Sequence, residues 1–105
     1  MSQSLSKLYT HIVFHTKYNR DVIKADIEKE LFAYFGGILK ENKSAPIAIN
    51  GIENHVHILC IMSKNIALAD LLEELKRNSS RWIKSKGVEY SDFAWQGGYG
   101  GFSVS

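Results

Sequence analysis

Two histidines separated by one residue, His55-Val56-His57, have the clearest chemical potential in this sequence. In an extended segment, residues two apart project from the same face with origins roughly 7 Å apart. Two imidazoles at that spacing can share one cation. Such pairs also occur on half-exposed strands without any role, so spacing alone leaves the metal reading open. A structural zinc finger is excluded more firmly, because no other Cys or His set has finger spacing. The single cysteine, Cys60, lies in an apolar run and reads as a buried small hydrophobe rather than a reactive thiol. It also suits a reducing compartment.

The elements around the pair decide where it points. Leu8 to Thr16 alternates Leu8, Thr10, Ile12 and Phe14 against Tyr9, His11, Val13 and His15, the period of a strand. Lys17 to Arg20 is a polar, basic exit from it. From about Lys24 to Asn42, Ile27, Leu31, Tyr34, Phe35, Ile38 and Leu39 recur at helical spacing. Gly36 and Gly37 cost that helix about 2 kcal/mol relative to alanine. Asn42 to Ser44 is its exit, and Pro46 begins the next element. Ile47 to Ile52 and Val56 to Met62 form a hairpin turning at Glu53-Asn54. On the second of these strands Val56, Ile58, Cys60 and Met62 share one face, and His55, His57, Leu59 and Ile61 the other. A second helix runs from about Ala67 to Lys86 on Leu68, Leu71, Leu72, Leu75, Ser79, Trp82 and Ile83, with Gly87 as its terminator. The stretch from Asp92 to Ser105 reads as a last strand interrupted by glycine-rich backbone.

Strand, helix, strand, strand, helix, strand is the order of an α+β, ferredoxin-like sheet: four antiparallel strands with both helices on one face. Its first and third strands are central neighbours. Ile12 and Phe14 belong to the core, so His11 and His15 should join His55 and His57 on the uncovered face. The chain of 105 residues suits one domain, residues 1–105, with no repeat and no linker. Hydrophobic residues at 45% and a net charge of +2 are ordinary for a globular protein, so nucleic-acid binding has to be argued from clustered charge. The polar start, Met1 to Lys7, lacks a signal-peptide core, and no apolar run approaches ~20 residues. The expected location is the cytoplasm.

Three segments carry a resemblance. Thr10-His11-Ile12-Val13-Phe14-His15-Thr16-Lys17-Tyr18-Asn19-Arg20, then Asn54-His55-Val56-His57-Ile58-Leu59, then Trp95-Gln96 with Tyr99-Gly100 and Phe102-Ser103-Val104-Ser105, closely resemble the single-tyrosine HUH transposases. These are the small transposases of insertion sequences and their repeat-associated relatives. The resemblance implies that His55 and His57 hold a divalent metal, Mg²⁺ or Mn²⁺, which polarises a scissile phosphate. It implies a tyrosine, on a helix after the last strand, that attacks single-stranded DNA and leaves a 5′-phosphotyrosine and a free 3′-OH. A glutamine on that helix normally completes the metal shell. None of Tyr9, Tyr18, Tyr34, Tyr90 and Tyr99 occupies such a place, so the nucleophile is expected beyond Ser105 and the 105 residues are expected not to cleave DNA.

Lys76, Arg77, Arg81, Lys84 and Lys86 lie on the second helix away from its apolar stripe, and Lys17 and Arg20 leave the first strand. A solvated helix face balanced by Glu73 and Glu74 is the plainer account. With the resemblance, Lys17, Arg20, Lys76, Arg77, Arg81 and Lys84 become expected contacts to the phosphates of single-stranded or hairpin DNA at element ends. Trp82 reads as core, whereas Trp95 and Tyr99 are possible platforms for unpaired bases. Family members are usually dimers, and an uncapped last strand invites edge pairing, so a homodimer is expected. Two other readings stay open: a non-enzymatic DNA-hairpin-binding module or regulatory remnant, and a sheet-based dimerising protein with no nucleic-acid role.

Overall fold

The computed structural model describes residues 7–97 and the backbone of residues 102–104. The readings made on residues 1–6, on Tyr99 and Gly100, and on the side chains of Phe102, Ser103 and Val104 lie outside the described residues. Three eight-residue strands form an antiparallel sheet: β1 (Leu8–His15), β2 (Ala45–Ile52) and β3 (His55–Met62). β3 is central, with β2 on one side and β1 on the other. The far side of β1 pairs antiparallel with Phe102–Val104 through Thr10, His11 and Ile12. Two helices, α1 (Ala25–Glu41) and α2 (Leu68–Lys84), complete the α+β architecture. Their boundaries fall within two residues of those read from periodicity.

The core follows from strand phase. Ile12 and Phe14 of β1 and Val56, Ile58, Cys60 and Met62 of β3 are buried together. They meet Ile27, Leu31, Phe35, Ile38 and Leu39 of α1 and Leu71, Leu72, Leu75 and Ile83 of α2. Both helices therefore cover one face of the sheet, leaving the odd-numbered positions of β1 and β3 on the other. Burial pushes the Cys60 thiol up to about 11, which keeps it protonated and inert. Among the described residues every buried side-chain N or O has a hydrogen-bond partner.

Pro46, read as the start of this element, is the second residue of β2. The strand tolerates it because β2 is an edge, and the register against β3 shifts between Pro46 and Ala48. α1 ends in a six-to-one closure, with the Ser44 N–H donating to the Leu39 carbonyl (2.8 Å) and the Lys43 N–H to that of Lys40 (3.0 Å). Lys43 takes the left-handed conformation there (φ 59°), where glycine is usual. Gly87, expected to terminate α2, has an extended backbone, and the last turn closes instead through the Ser85 N–H on the Arg81 and Trp82 carbonyls. Glu53 and Asn54 make the two-residue β2–β3 turn, and a Cβ on Gly51 beside it would run into the His55 carbonyl.

Candidate functional site

Register brings the four histidines together. In the β1–β3 ladder His15 lies opposite His55, Val13 opposite His57 and His11 opposite Leu59. All four histidine side chains fall on the helix-free face, as strand phase predicted. The His55 and His57 rings sit edge to face with centroids 4.8 Å apart. His11 stacks against His57 and His15 tilts against His55, each at 5.4 Å. On β2, Asn50 is paired with His57 and Ile52 with His55, and Ile52 is half exposed.

Hydrogen bonding sets the ring nitrogens. His55 Nδ1 lies 2.8 Å from Asn54 Oδ1, so Nδ1 carries the proton and donates to the amide oxygen. His57 Nδ1 lies 3.3 Å from His11 Nε2. With His57 donating to His11, both Nε2 lone pairs of the His55–His57 pair remain for a cation. This is the tautomer that metal-ligating histidines take when their second nitrogen is held by a neighbour. The His57 pKa is lowered by partial burial, then by the nearby His55, His11 and His15, which favours the neutral, ligand-competent ring. Among the described residues no group of three or more His, Cys, Asp or Glu side chains is placed to hold a metal ion. Asn54 entered the sequence reading as half of the hairpin turn and as a neighbour of the histidines, not as a partner of either ring. Its role is visible once the turn places its amide against His55.

The β1 exit is more ordered than its polar composition indicated. Lys17–Asn19 form a 3₁₀ turn in which Tyr18 (φ 60°, ψ 20°) and Asn19 (φ 54°) are both left-handed. Each such non-glycine residue costs about 1–2 kcal/mol. Surrounding bonds hold them there. The Thr16 N–H donates to the Asn54 carbonyl (2.9 Å), the Lys17 N–H to Ala94 (3.0 Å), and the Thr16 hydroxyl to the Arg20 carbonyl (2.7 Å). The Val22 and Ile23 N–H groups both donate to the Glu53 carbonyl. Arg20 pairs with Asp92 at 3.3 Å. Lys17 and Arg20 thus stand beside the His15–His55 end of the sheet.

The α2 cations are elsewhere. α2 packs on the helix-covered face, so the sheet separates Lys76, Arg77, Arg81 and Lys84 from the histidines. Lys76 donates to the Gln96 carbonyl (2.9 Å), and burial lowers its pKa. Arg77 forms ion pairs with Glu73 (3.3 Å) and Glu74 (2.6 Å) along the helix. Arg81 and Lys84 are exposed. Lys76, Arg77 and Lys84 line a groove of about 370 Å³ against residues 93–97. Trp95, weighed as a base platform, is instead buried at 8% exposure. It packs on Phe14, Phe35 and Phe93, and its indole N–H donates to the buried Ser79 hydroxyl (2.9 Å). Trp82 is partly buried and stacks on Tyr34 at 5.5 Å. Among the described tyrosines, Tyr9 lies on the open face two residues from His11, Tyr18 on the β1 exit, Tyr34 on α1, and Tyr90 is buried. None of these follows the last strand on a helix.

Residues 4–105 match the family model described as transposase, IS200-like. No curated protein matches the chain. Among solved structures, a candidate transposase from Deinococcus radiodurans R1 superposes with a TM-score of 0.81 at 21% identity, over 100% of this chain and 85% of that one. The REP-associated tyrosine transposase bound to a REP hairpin superposes with a TM-score of 0.68 at 11% identity. This chain is covered completely and spans 62% of that protein's length.

Proposed function

The chain belongs to the IS200-like transposase family, and from that membership we propose that it binds a divalent metal and DNA in the transposition of an insertion sequence. His55 and His57 hold one divalent cation, Mg²⁺ or Mn²⁺, through their Nε2 atoms. The observation that carries this reading is the placement of both imidazoles on one open strand face, with each Nδ1 at a neighbour, His55 at Asn54 and His57 at His11, so that Nε2 of each is the nitrogen left for a cation when Nδ1 donates. A cation held there supplies Lewis-acid polarisation of a scissile phosphate. The protein's own groups orient the ligands: Asn54 fixes the His55 ring, and His11 that of His57.

The DNA is single-stranded or hairpin DNA at an element end, by analogy with the relative bound to a REP hairpin. Lys17 and Arg20 hold phosphates near the histidines, and Lys76, Arg77, Arg81 and Lys84 offer a separate, salt-sensitive contact on the helix side. The cleavage chemistry expected of the family is attack by a tyrosine to give a 5′-phosphotyrosine, conserving the bond energy for rejoining. No tyrosine among the described residues is assigned that role. We read Phe102–Val104 as the fourth strand of a ferredoxin-like sheet and its edge as one side of a homodimer in the cytoplasm. Among the described residues no helix is long and apolar enough to cross a membrane.

Mn²⁺ titration tests the metal reading. Wild type should bind one equivalent, and the double variant His55→Ala/His57→Ala should bind none. Hairpin binding that ignores both Mn²⁺ and the histidines would instead favour a non-enzymatic DNA-binding module.

A further inference from the structure

At the exit of β1 lies a cavity of about 240 Å³ that the metal reading does not use. Lys17, Tyr18, Arg20, Glu89, Asp92 and Phe93 are among the residues that line it. Tyr18 is 78% exposed, on a backbone that two consecutive left-handed residues turn away from the sheet. A large aromatic ring held in solvent by a strained, well-bonded loop has no packing purpose, and strain of this kind concentrates at binding sites.

We propose that this cavity is a subsite for one unpaired nucleobase of single-stranded DNA, stacked on the Tyr18 ring. The inference rests on the proposed function in taking DNA as the ligand. Size favours a single base, since pockets for drug-sized molecules run to about 300–1,000 Å³. Charge sets the orientation. Lys17 Nζ lies 5.4 Å from the Tyr18 ring centroid, on the side where a backbone phosphate is welcome. Glu89 and Asp92 also line the cavity, and their carboxylates can accept hydrogen bonds from an exocyclic amino group. Arg20, paired with Asp92 at 3.3 Å, keeps that carboxylate in place. A paired base hides its faces in the duplex stack, whereas an unpaired one presents a π-face to an aromatic ring. Thr16 joins this loop directly to His15, whose ring lies against His55.

The test uses the 105-residue chain, a labelled single-stranded 12-nucleotide DNA of mixed sequence, and the corresponding blunt duplex, with binding read by fluorescence anisotropy. Tyr18→Asn removes the ring while keeping a residue that accepts left-handed backbone. It should weaken single-strand binding roughly 5- to 150-fold, the range for losing one base–aromatic stack. Tyr18→Phe should stay within about twofold of wild type, and neither change should alter duplex binding. Equal thermal midpoints establish that the loop still folds. Unchanged single-strand affinity in Tyr18→Asn overturns the subsite and leaves the proposed function standing. Equal weakening on duplex and single strand also overturns it, because the ring then serves phosphate contact or loop order. If wild type binds neither DNA at low salt, both readings fall together.

Discussion

Replacing Asn54 by alanine isolates the hydrogen bond that orients His55. The 2.8 Å contact from His55 Nδ1 to Asn54 Oδ1 is the only feature of the Asn54 side chain that the site requires. The turn itself depends on the Asn54 backbone carbonyl, which receives the Thr16 N–H. Asn54 is also absent from the positive-φ residues, so alanine is sterically acceptable there. Loss of the partner that orients a metal-ligating histidine generally lowers metal affinity about 10- to 100-fold. Asn54 is half-buried, and water can take over part of the contact, which puts the expected loss near tenfold, or about 1.4 kcal/mol. Disappearance of the free Mn²⁺ paramagnetic resonance signal measures the affinity directly at pH 7.5. His55→Ala serves as the reference for complete loss. Asn54→Asp should restore binding or tighten it, since a carboxylate accepts the same bond and makes the imidazole more basic. Asn54→Ala titrating like wild type while His55→Ala loses binding would refute the argument that Asn54 sets the ligand.

Two further outcomes follow from the same geometry. Gly51→Ala should destabilise the chain by about 1–3 kcal/mol, seen as a lower thermal midpoint, because the new Cβ meets the His55 carbonyl across the β2–β3 ladder. Acidification should also destabilise it. The folded His57 pKa lies below its ordinary value of 6.5, so the unfolded chain binds its proton first and stability is lost as pH falls through 6.5 toward the lowered folded value. Melts from pH 8 to pH 5 in His57→Gln should show a shallower decline than wild type, and identical slopes would remove the histidine cluster as the cause.

Alternation in Leu8–His15 and His55–Met62 was sufficient to put four histidines on one face, because a period of two has one solution once Ile12, Phe14, Val56 and Ile58 are buried. The helices were legible for the same reason at a period near four. What periodicity does not carry is what lies across a contact. Trp95 looked accessible in a glycine-rich segment, yet Ser79, sixteen residues earlier, supplies the partner that its indole needs for burial. The α2 cations group with Lys17 and Arg20 as expected DNA contacts, but helix packing sets the α2 cations on the side of the sheet away from the histidines. Lys43 and Tyr18 take left-handed backbone without glycine, and the bonds that hold Tyr18 come from Asn54 and Ala94, distant in sequence. Local propensity has no access to such partners.

The Glu53–Asn54 turn has a wider mechanical meaning. Its two carbonyls receive Thr16, Val22 and Ile23, so the hairpin tip that introduces His55 and the connection that carries Tyr18 and Arg20 are riveted into one block. Neither segment can be transplanted, lengthened or redesigned by itself without shifting the other. A scaffold borrowing the histidine pair would have to import residues 15–23 along with residues 51–57, and drift in one stretch would need a matching change in its counterpart.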